Sequence, residues 1–449
     1  MRWVLFLTSL MLSCSSSPAP APSVATTQQR AIGEEVESPA VAEDLDPAED
    51  GVLVRLTAAA HDGGTWAYNG QIPGPTIRAK VGDTVTVELT NSLPNPTTIH
   101  WHGVDVPFDM DGVVWMGAPI PADGGTFTYS FQVDRAGTFW YHPHFDTEHQ
   151  VDLGLYGMIV VDDPSEPATD RELLLVFDQA AEADRYDNGP MHRHGLVDLG
   201  TPWLVNGLEQ PKVTLTPGER VRLRVLNASN TGYLDLSWPD MLHIASDQGL
   251  LPQVQTPDSV VLAPGDRAEF EVVAGDSPLE VTNRPYTLSG GAALGEPTAL
   301  MTFEIEGSGG APAPLVWPTD PTPPTADPGY ADVVYVFSGS DEGDAWMING
   351  EVFPDVTIEA FTIGDEVILE IRNLSPTEHP FHTHGHSFEV LSRDGVAPTY
   401  RTIEDTINIG IREIVRVRFV ATNPGDWMTH CHILQHADGG MMTVLRVSP

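Results

Sequence analysis

The chain has 449 residues, 63 acidic against 22 basic side chains, and a formal net charge of −41; this balance argues against nucleic acid as a partner and against electrostatic attachment to anionic lipid. With two cysteines, 41 glycines and 39 prolines, it is no disulfide scaffold and is rich in turns. At roughly 150 residues per domain the length suggests three domains. The acidic field would attract cations, including ferrous and cuprous ions, and it equally serves solubility; Lys80 and Lys212 are the only lysines.

Arg2 followed by the apolar run from Trp3 to Leu12 is too short to span a bilayer and reads as an export signal over residues 1–13. Met11-Leu12-Ser13-Cys14 resembles a bacterial lipobox with Met11 where leucine is more usual, so Cys14 is expected to carry lipid; ordinary cleavage near Ala19 or Ala21 is the alternative. Residues 14–48, rich in Ser, Pro, Ala and Glu, read as a disordered tether. No twin-arginine signal is present, so export unfolded is expected, with metal acquired outside the cytoplasm.

An internal repeat then runs through the chain: Asn69-Gly70 to Asn91, Asn206-Gly207 to Asn227, and Asn349-Gly350 to Asn373. The copies start 137 and 143 residues apart, too long a period for a solenoid. Within each copy apolar residues alternate, as a half-buried strand requires: Val85, Val87 and Leu89; Val221, Leu223 and Val225, interleaved with Arg220, Arg222 and Arg224; and Val367, Leu369 and Ile371. Short strands between Gly and Pro turns predict an all-β chain of three consecutive β-sandwich domains over 49–163, 164–306 and 330–449, with a Gly/Pro-rich linker at 307–329.

Sixteen histidines placed at random would give about 0.6 His-x-His pairs, and the chain has six. Four matter here, two in the first domain and two in the third: His100/His102, His142/His144, His382/His384 and His430/His432. Those eight imidazoles suffice for a cluster of several ions, and the middle domain supplies none of them. Beside them stand Cys431, His379, His436 and Met441, a thiolate, two imidazoles and a weak thioether that match an electron-transferring copper better than zinc. If His430-Cys431-His432 is extended, alternate side chains face opposite ways, so the thiolate serves one site and its flanking imidazoles another. With Cys14 set aside, Cys431 is the only thiol and no intramolecular disulfide is available.

The runs His-Trp-His-Gly at 100–103, Trp-Tyr-His-Pro-His at 140–144, His-Pro-Phe-His-Thr-His-Gly-His at 379–386 and His-Cys-His-Ile-Leu-Gln-His at 430–436 resemble, in order, the motifs of three-domain multicopper oxidases of the bacterial laccase type. The resemblance implies cupredoxin-like Greek-key sandwiches and four copper ions per chain. It assigns His379, Cys431, His436 and axial Met441 to a type 1 copper, with Met442 as the neighbouring alternative. His100 and His382 fall to a type 2 copper, and His102, His142, His144, His384, His430 and His432 to a type 3 pair. It further implies one-electron oxidation of donors at the first site and four-electron reduction of dioxygen to water at the other three.

Asp111 matches an acidic residue near the cluster in relatives and is the expected proton-handling group; a turn-capping role is the alternative. This chain departs from the family where relatives place an acid after the last type 1 histidine or three residues after the cysteine: those positions are Ala437 and Leu434, with Asp438 as a substitute. The expected donor is phenolic or aromatic; the alternatives are cuprous or ferrous ions in metal tolerance, and a copper-sequestering lipoprotein without enzyme activity. A monomeric, exported, periplasmic or outer-membrane lipoprotein is expected. Met191-His192-Arg193-His194 reads as a solvated loop, His386 as a motif residue outside the ligand set, and Trp101, Trp140 and Trp427 as packing around the sites.

Overall fold

The structure is a computed structural model that describes residues 32–114, 117–179, 202–287, 293–294, 297–311, 322–339 and 345–449. The export signal, Cys14, the Met191–His194 run and residues 312–321 of the linker lie outside the described residues. The chain is almost wholly β, and its sheets form three successive sandwiches: two four-stranded sheets, then a six- and a five-stranded sheet, then again a six- and a five-stranded sheet. Each encloses its own apolar cluster.

The internal repeat has a physical basis in its asparagines. Asn69, Asn206 and Asn349 all adopt positive φ (53°, 49° and 57°), and each is followed by a positive-φ glycine, a conformation that Asn-Gly tolerates better than other pairs. Each side chain then ties the turn to the same place on the first strand. Asn69 accepts from Thr57 N–H and donates to the Arg55 carbonyl; Asn206 does so with Val176 and Leu174, and Asn349 with Val336 and Val334. The closing asparagines are equally regular. Buried Asn91, Asn227 and Asn373 accept from the N–H two residues on and donate to the carbonyls of Ile120, Leu262 and Ile409. In every copy the first strand pairs in parallel with the strand ending at that asparagine.

The alternating apolar residues of those strands are buried as their period predicts. The second copy departs from a half-buried strand, because Arg220, Arg222 and Arg224 are buried as well. Burial of three guanidinium groups requires partners, and the adjoining elements supply them. Glu269, fully buried, accepts from Arg222 Nε at 2.6 Å and from Arg224 at 2.7 Å. Arg222 also pairs with Glu166, and Arg224 with Glu172. Thr138 of the first sandwich donates to Glu269 at 2.7 Å, and Arg78 pairs with Asp162 and Glu172, so this charged face is the junction of the first and second sandwiches.

The tether expected over 14–48 is ordered where it is described. Glu34 to Val36 pairs with Lys212, the Glu35 carboxylate accepts Thr214 N–H, and Val36 is buried in the second core. Residues 40–42 then exchange hydrogen bonds with Thr76 of the first sandwich. The low-complexity composition concealed this because a strap lying in a groove between two domains needs only one buried apolar side chain.

Candidate metal centre

Antiparallel pairing places the His-x-His motifs face to face. The His100–His102 strand lies against Gly137–His142 with His100 opposite His142, and His379–Thr383 lies against Gly425–Cys431 with His382 opposite His430 and Phe381 opposite Cys431. Side chains on successive residues point to opposite faces. Cys431 and Phe381 therefore enter the third core, while His382, His430 and His432 turn toward the first sandwich. All eight imidazoles converge there, each less than a tenth exposed.

Their hydrogen bonds fix which ring nitrogen remains. His100 Nδ1 donates to Asp111 (3.0 Å) and His382 Nδ1 to the Asp405 carbonyl (3.0 Å). His384 Nδ1 donates to the other Asp111 oxygen (2.8 Å), His430 Nδ1 to the Cys431 carbonyl, and His142 Nδ1 to the Pro143 carbonyl. Carbonyls and carboxylates only accept, so these Nε2 atoms carry lone pairs. His100 and His382 Nε2 face one another at 3.5 Å, and His384 Nε2 faces His430 Nε2 at 3.1 Å, with His144 Nε2 3.4 Å from the latter. Lone pairs aimed at each other in a dry interior repel unless a cation lies among them.

A third group forms from His102, His142 and His432, whose ring centroids lie 4.9–5.9 Å apart. Here the order is reversed for His102, whose Nε2 donates to Asp405 at 2.9 Å. The nitrogens left over, His102 Nδ1, His142 Nε2 and both of His432, are buried without a hydrogen-bond partner, which fits metal ligation. Burial, with neighbouring imidazoles adding to it, pushes His142, His144, His430 and His432 well below the ordinary histidine range. Neutral imidazole is the form that binds metal.

Asp111 is buried and joins His100 to His384 across the domain boundary. Burial opposes its ionisation, but the two imidazole donors outweigh it and hold the carboxyl well below the usual range. Asp405 has the matching position on the other side of the cluster. It accepts from His102 and ion-pairs with Arg267, and burial is again outweighed by these partners. Sequence reasoning did not find Asp405, which sits in no His-x-His motif, nor Arg267, which comes from the domain without ligands. The middle sandwich supplies no ligand, yet through Arg267, and through Gln248, whose side-chain amide donates to Asp405, it braces the cluster.

On the far side of the same strand, His379 Nδ1, Cys431 Sγ and His436 Nδ1 form a triangle with edges of 3.1, 3.4 and 3.5 Å. Ser375 Oγ accepts from His379 Nε2 at 2.6 Å, which leaves Nδ1 unprotonated. Burial pushes His379 down to about 3 and Cys431 well above the usual thiol range, so a bound cation is what makes the thiolate favourable. Met441 is fully buried in the same apolar cluster as Cys431 and accepts its N–H. Met442, the alternative, instead shares with His144, His430, Ala437 and Asp438 the wall of a cavity of about 120 Å³ on the other face. His386 is structural: its Nε2 accepts the N–H groups of Thr422 and Asn423. Trp101, Trp140 and Trp427 are buried against aromatic rings around the sites, Trp140 within 4.2 Å of His142 between ring centroids.

Sequence models of multicopper oxidase domains match residues 54–166 and 321–449. The chain is 30% identical to the multicopper oxidase MmcO of Mycobacterium tuberculosis over 85% of this chain and 82% of that protein. The crystal structure of a multi-copper oxidase from Pseudomonas thermotolerans superposes with a TM-score of 0.75 at 31% identity, covering 89% of this chain and 99% of that one. A laccase-like multi-copper oxidase from a lignin-degrading Ochrobactrum species, described with oxidase activity towards lignin model compounds and lignosulfonate, superposes with a TM-score of 0.74 at 25% identity, covering 93% and 100%.

Proposed function

The chain belongs to the multicopper oxidase family, as a laccase-like copper-dependent oxidoreductase that uses oxygen, and we propose that it couples one-electron oxidation of phenolic or related aromatic donors to reduction of dioxygen to water. The observation that carries this reading is the facing lone pairs of His100 and His382 and of His384 and His430, which call for cations between them. Four copper ions per chain would be held as follows: one by His379, Cys431, His436 and Met441, one by His100 and His382, and two by His102, His142, His144, His384, His430 and His432. Copper bound there would supply the redox chemistry, one-electron transfer at the thiolate site and reduction of oxygen at the histidine cluster.

The protein's own part is geometric and protonic. The backbone of His430-Cys431-His432 joins the two sites through a few covalent bonds. Asp111 holds two imidazole N–H protons in place and stands beside the cluster, where protons are consumed. Asp438 borders the small cavity at His144 and His430, which supports it as the substitute for the acid missing at positions 434 and 437. The activity of the Ochrobactrum relative towards lignin model compounds supports aromatic donors. Cys431→Ser is expected to abolish the blue absorption and donor oxidation while the eight other histidines keep most of their copper; retained donor oxidation would overturn the arrangement.

Oxygen uptake by the copper-loaded protein lacking residues 1–31, offered phenols, ferrous ion and cuprous ion in parallel, decides the donor. Faster turnover of phenols supports the reading, and a strong preference for either ion moves the function to metal tolerance. Uptake unchanged by every donor would indicate copper storage. We further propose export as a lipoprotein through Cys14, acting as a monomer; Cys14→Ala is then expected to move the protein from the membrane fraction to the soluble one.

A further inference from the structure

We propose that the small cavity beside the last strand is the port through which the histidine cluster is loaded with cuprous ion, the Met428 and Met442 thioethers forming a transient soft site inside it; this rests on the copper assignment above. All eight imidazoles are buried, so an ion has to reach them through the protein. His144, at 9%, is the most exposed of them, and with His430 it lines a cavity of about 120 Å³. That is room for a few waters or one partly hydrated ion. His144 and His430 come from opposite ends of the chain and face one another, Nε2 to Nε2 at 3.4 Å. The inner end of the cavity is therefore part of the cluster itself.

Strand geometry puts the two thioethers in the throat. Trp427 and Cys431 belong to the third core, so alternation turns Met428 and His430 to the other face of Gly425–Cys431. In the antiparallel register Met442 stands directly opposite His430, where side chains on one face lie about 5 Å apart at Cβ. Met428 is the diagonal neighbour of Met442 on that face, within reach of a long side chain. All three line the cavity. Of its other lining residues Val114, Asp146 and Asp438 are exposed, so the mouth carries two carboxylates, on a chain of net charge −41. From mouth to cluster the donors thus run carboxylate, thioether, imidazole. Carboxylates draw in a hydrated cation, and thioethers select the soft cuprous ion from harder competitors. Leu434 and Ala437 in the same wall leave no carboxylate there to hold a hard ion. Two thioethers bind weakly enough to release the ion to the imidazoles, and it enters and leaves them as cuprous ion, with no electron transferred.

The test gives copper-free full chain either cuprous ion, as its acetonitrile complex under argon, or cupric ion. Copper per chain, and the blue absorption after air is admitted, are followed in time. The double variant Met428→Leu/Met442→Leu keeps side-chain volume. It is expected to slow cuprous filling of the histidine cluster by at least about tenfold, to reach the same final copper content, and to gain its blue colour at the wild-type rate. Cupric filling should be the same in both proteins. A second measurement needs no copper-free protein: copper-loaded chain, fully reduced under argon, is titrated with silver ion, a soft monovalent cation, and the methionine methyl signals are followed by NMR. The Met428 and Met442 signals, identified by their loss in the single Leu variants, should move together and saturate. Cuprous filling unchanged in the double variant, slowing shared by cupric ion or by the blue site, or methyl signals that silver leaves in place would each overturn the port. A histidine cluster that takes up no copper from either ion, in either protein, overturns the copper assignment itself.

Discussion

Asp111 ties one imidazole from each end of the chain to a single carboxylate, and both bonds require it to accept. An amide in its place can accept at one atom only; its NH₂ would meet an imidazole N–H. One ring would then have to turn or change tautomer, and the lone pair directed at its neighbour would be lost. Asp111→Asn is therefore expected to slow reoxidation of the reduced protein by oxygen by about 10- to 100-fold, the usual effect of removing a partner of a metal-binding histidine. Anaerobic bleaching of the blue colour by a donor should change far less. Rapid mixing measures both steps, and equal slowing would remove the role assigned to Asp111. The same logic explains why burial of these histidines is tolerated: each described Nδ1–H acceptor is a backbone carbonyl or a carboxylate, so those rings are desolvated with one nitrogen satisfied and the other reserved.

At the scale of elements, the Arg220–Asn227 strand illustrates how a period-two pattern can mislead about exposure. Its arginine face is buried against carboxylates of the neighbouring strand and against the first sandwich. Removing Glu269 would take from two buried guanidinium groups the carboxylate they share, leaving each hydrogen-bonded to a single carboxylate, so Glu269→Ala is expected to cost about 3–5 kcal/mol, read as a lowered denaturation midpoint. The N-terminal strap makes a second, smaller contribution. Val36 inserts into the second core, and the segment's backbone bridges Lys212 and Thr76. Burial of a valine side chain is worth roughly 1.5–3 kcal/mol. Protein starting at residue 49 should thus melt several degrees below protein starting at residue 32, and equal melting temperatures would show that the strap is passive.

For the molecule as a whole, the cluster is an interface. Four of its imidazoles come from the first sandwich and four from the third, so its geometry depends on docking two domains separated by more than a hundred residues. The second sandwich secures that docking electrostatically. Arg267 is fully buried and pairs with Asp405, which orients His102. Arg267→Leu is expected to leave Asp405 an unpaired buried charge, lowering copper retention at the histidine cluster by about 10- to 100-fold. The blue site, built within one domain, should keep its copper. Copper per chain and the blue absorption, measured after dialysis against a chelator, separate the two sites.

The sequence by itself determined the period-two strands, the threefold repeat and the ligand inventory, because alternation and Asn-Gly turns are local and because His-x-His spacing is meaningful only in an extended chain. It also placed Cys431 apart from its flanking histidines, a consequence of strand geometry alone. Only the tertiary structure decided which nitrogen of rings such as His102 and His384 is free, since that depends on the carboxylates of Asp405 and Asp111, 303 and 273 residues away in the chain. Asp405, Arg267 and the buried arginine face were not legible for the same reason: a charged side chain reads as surface until a partner 45 or more residues distant takes it out of water, and no local pattern records that partner.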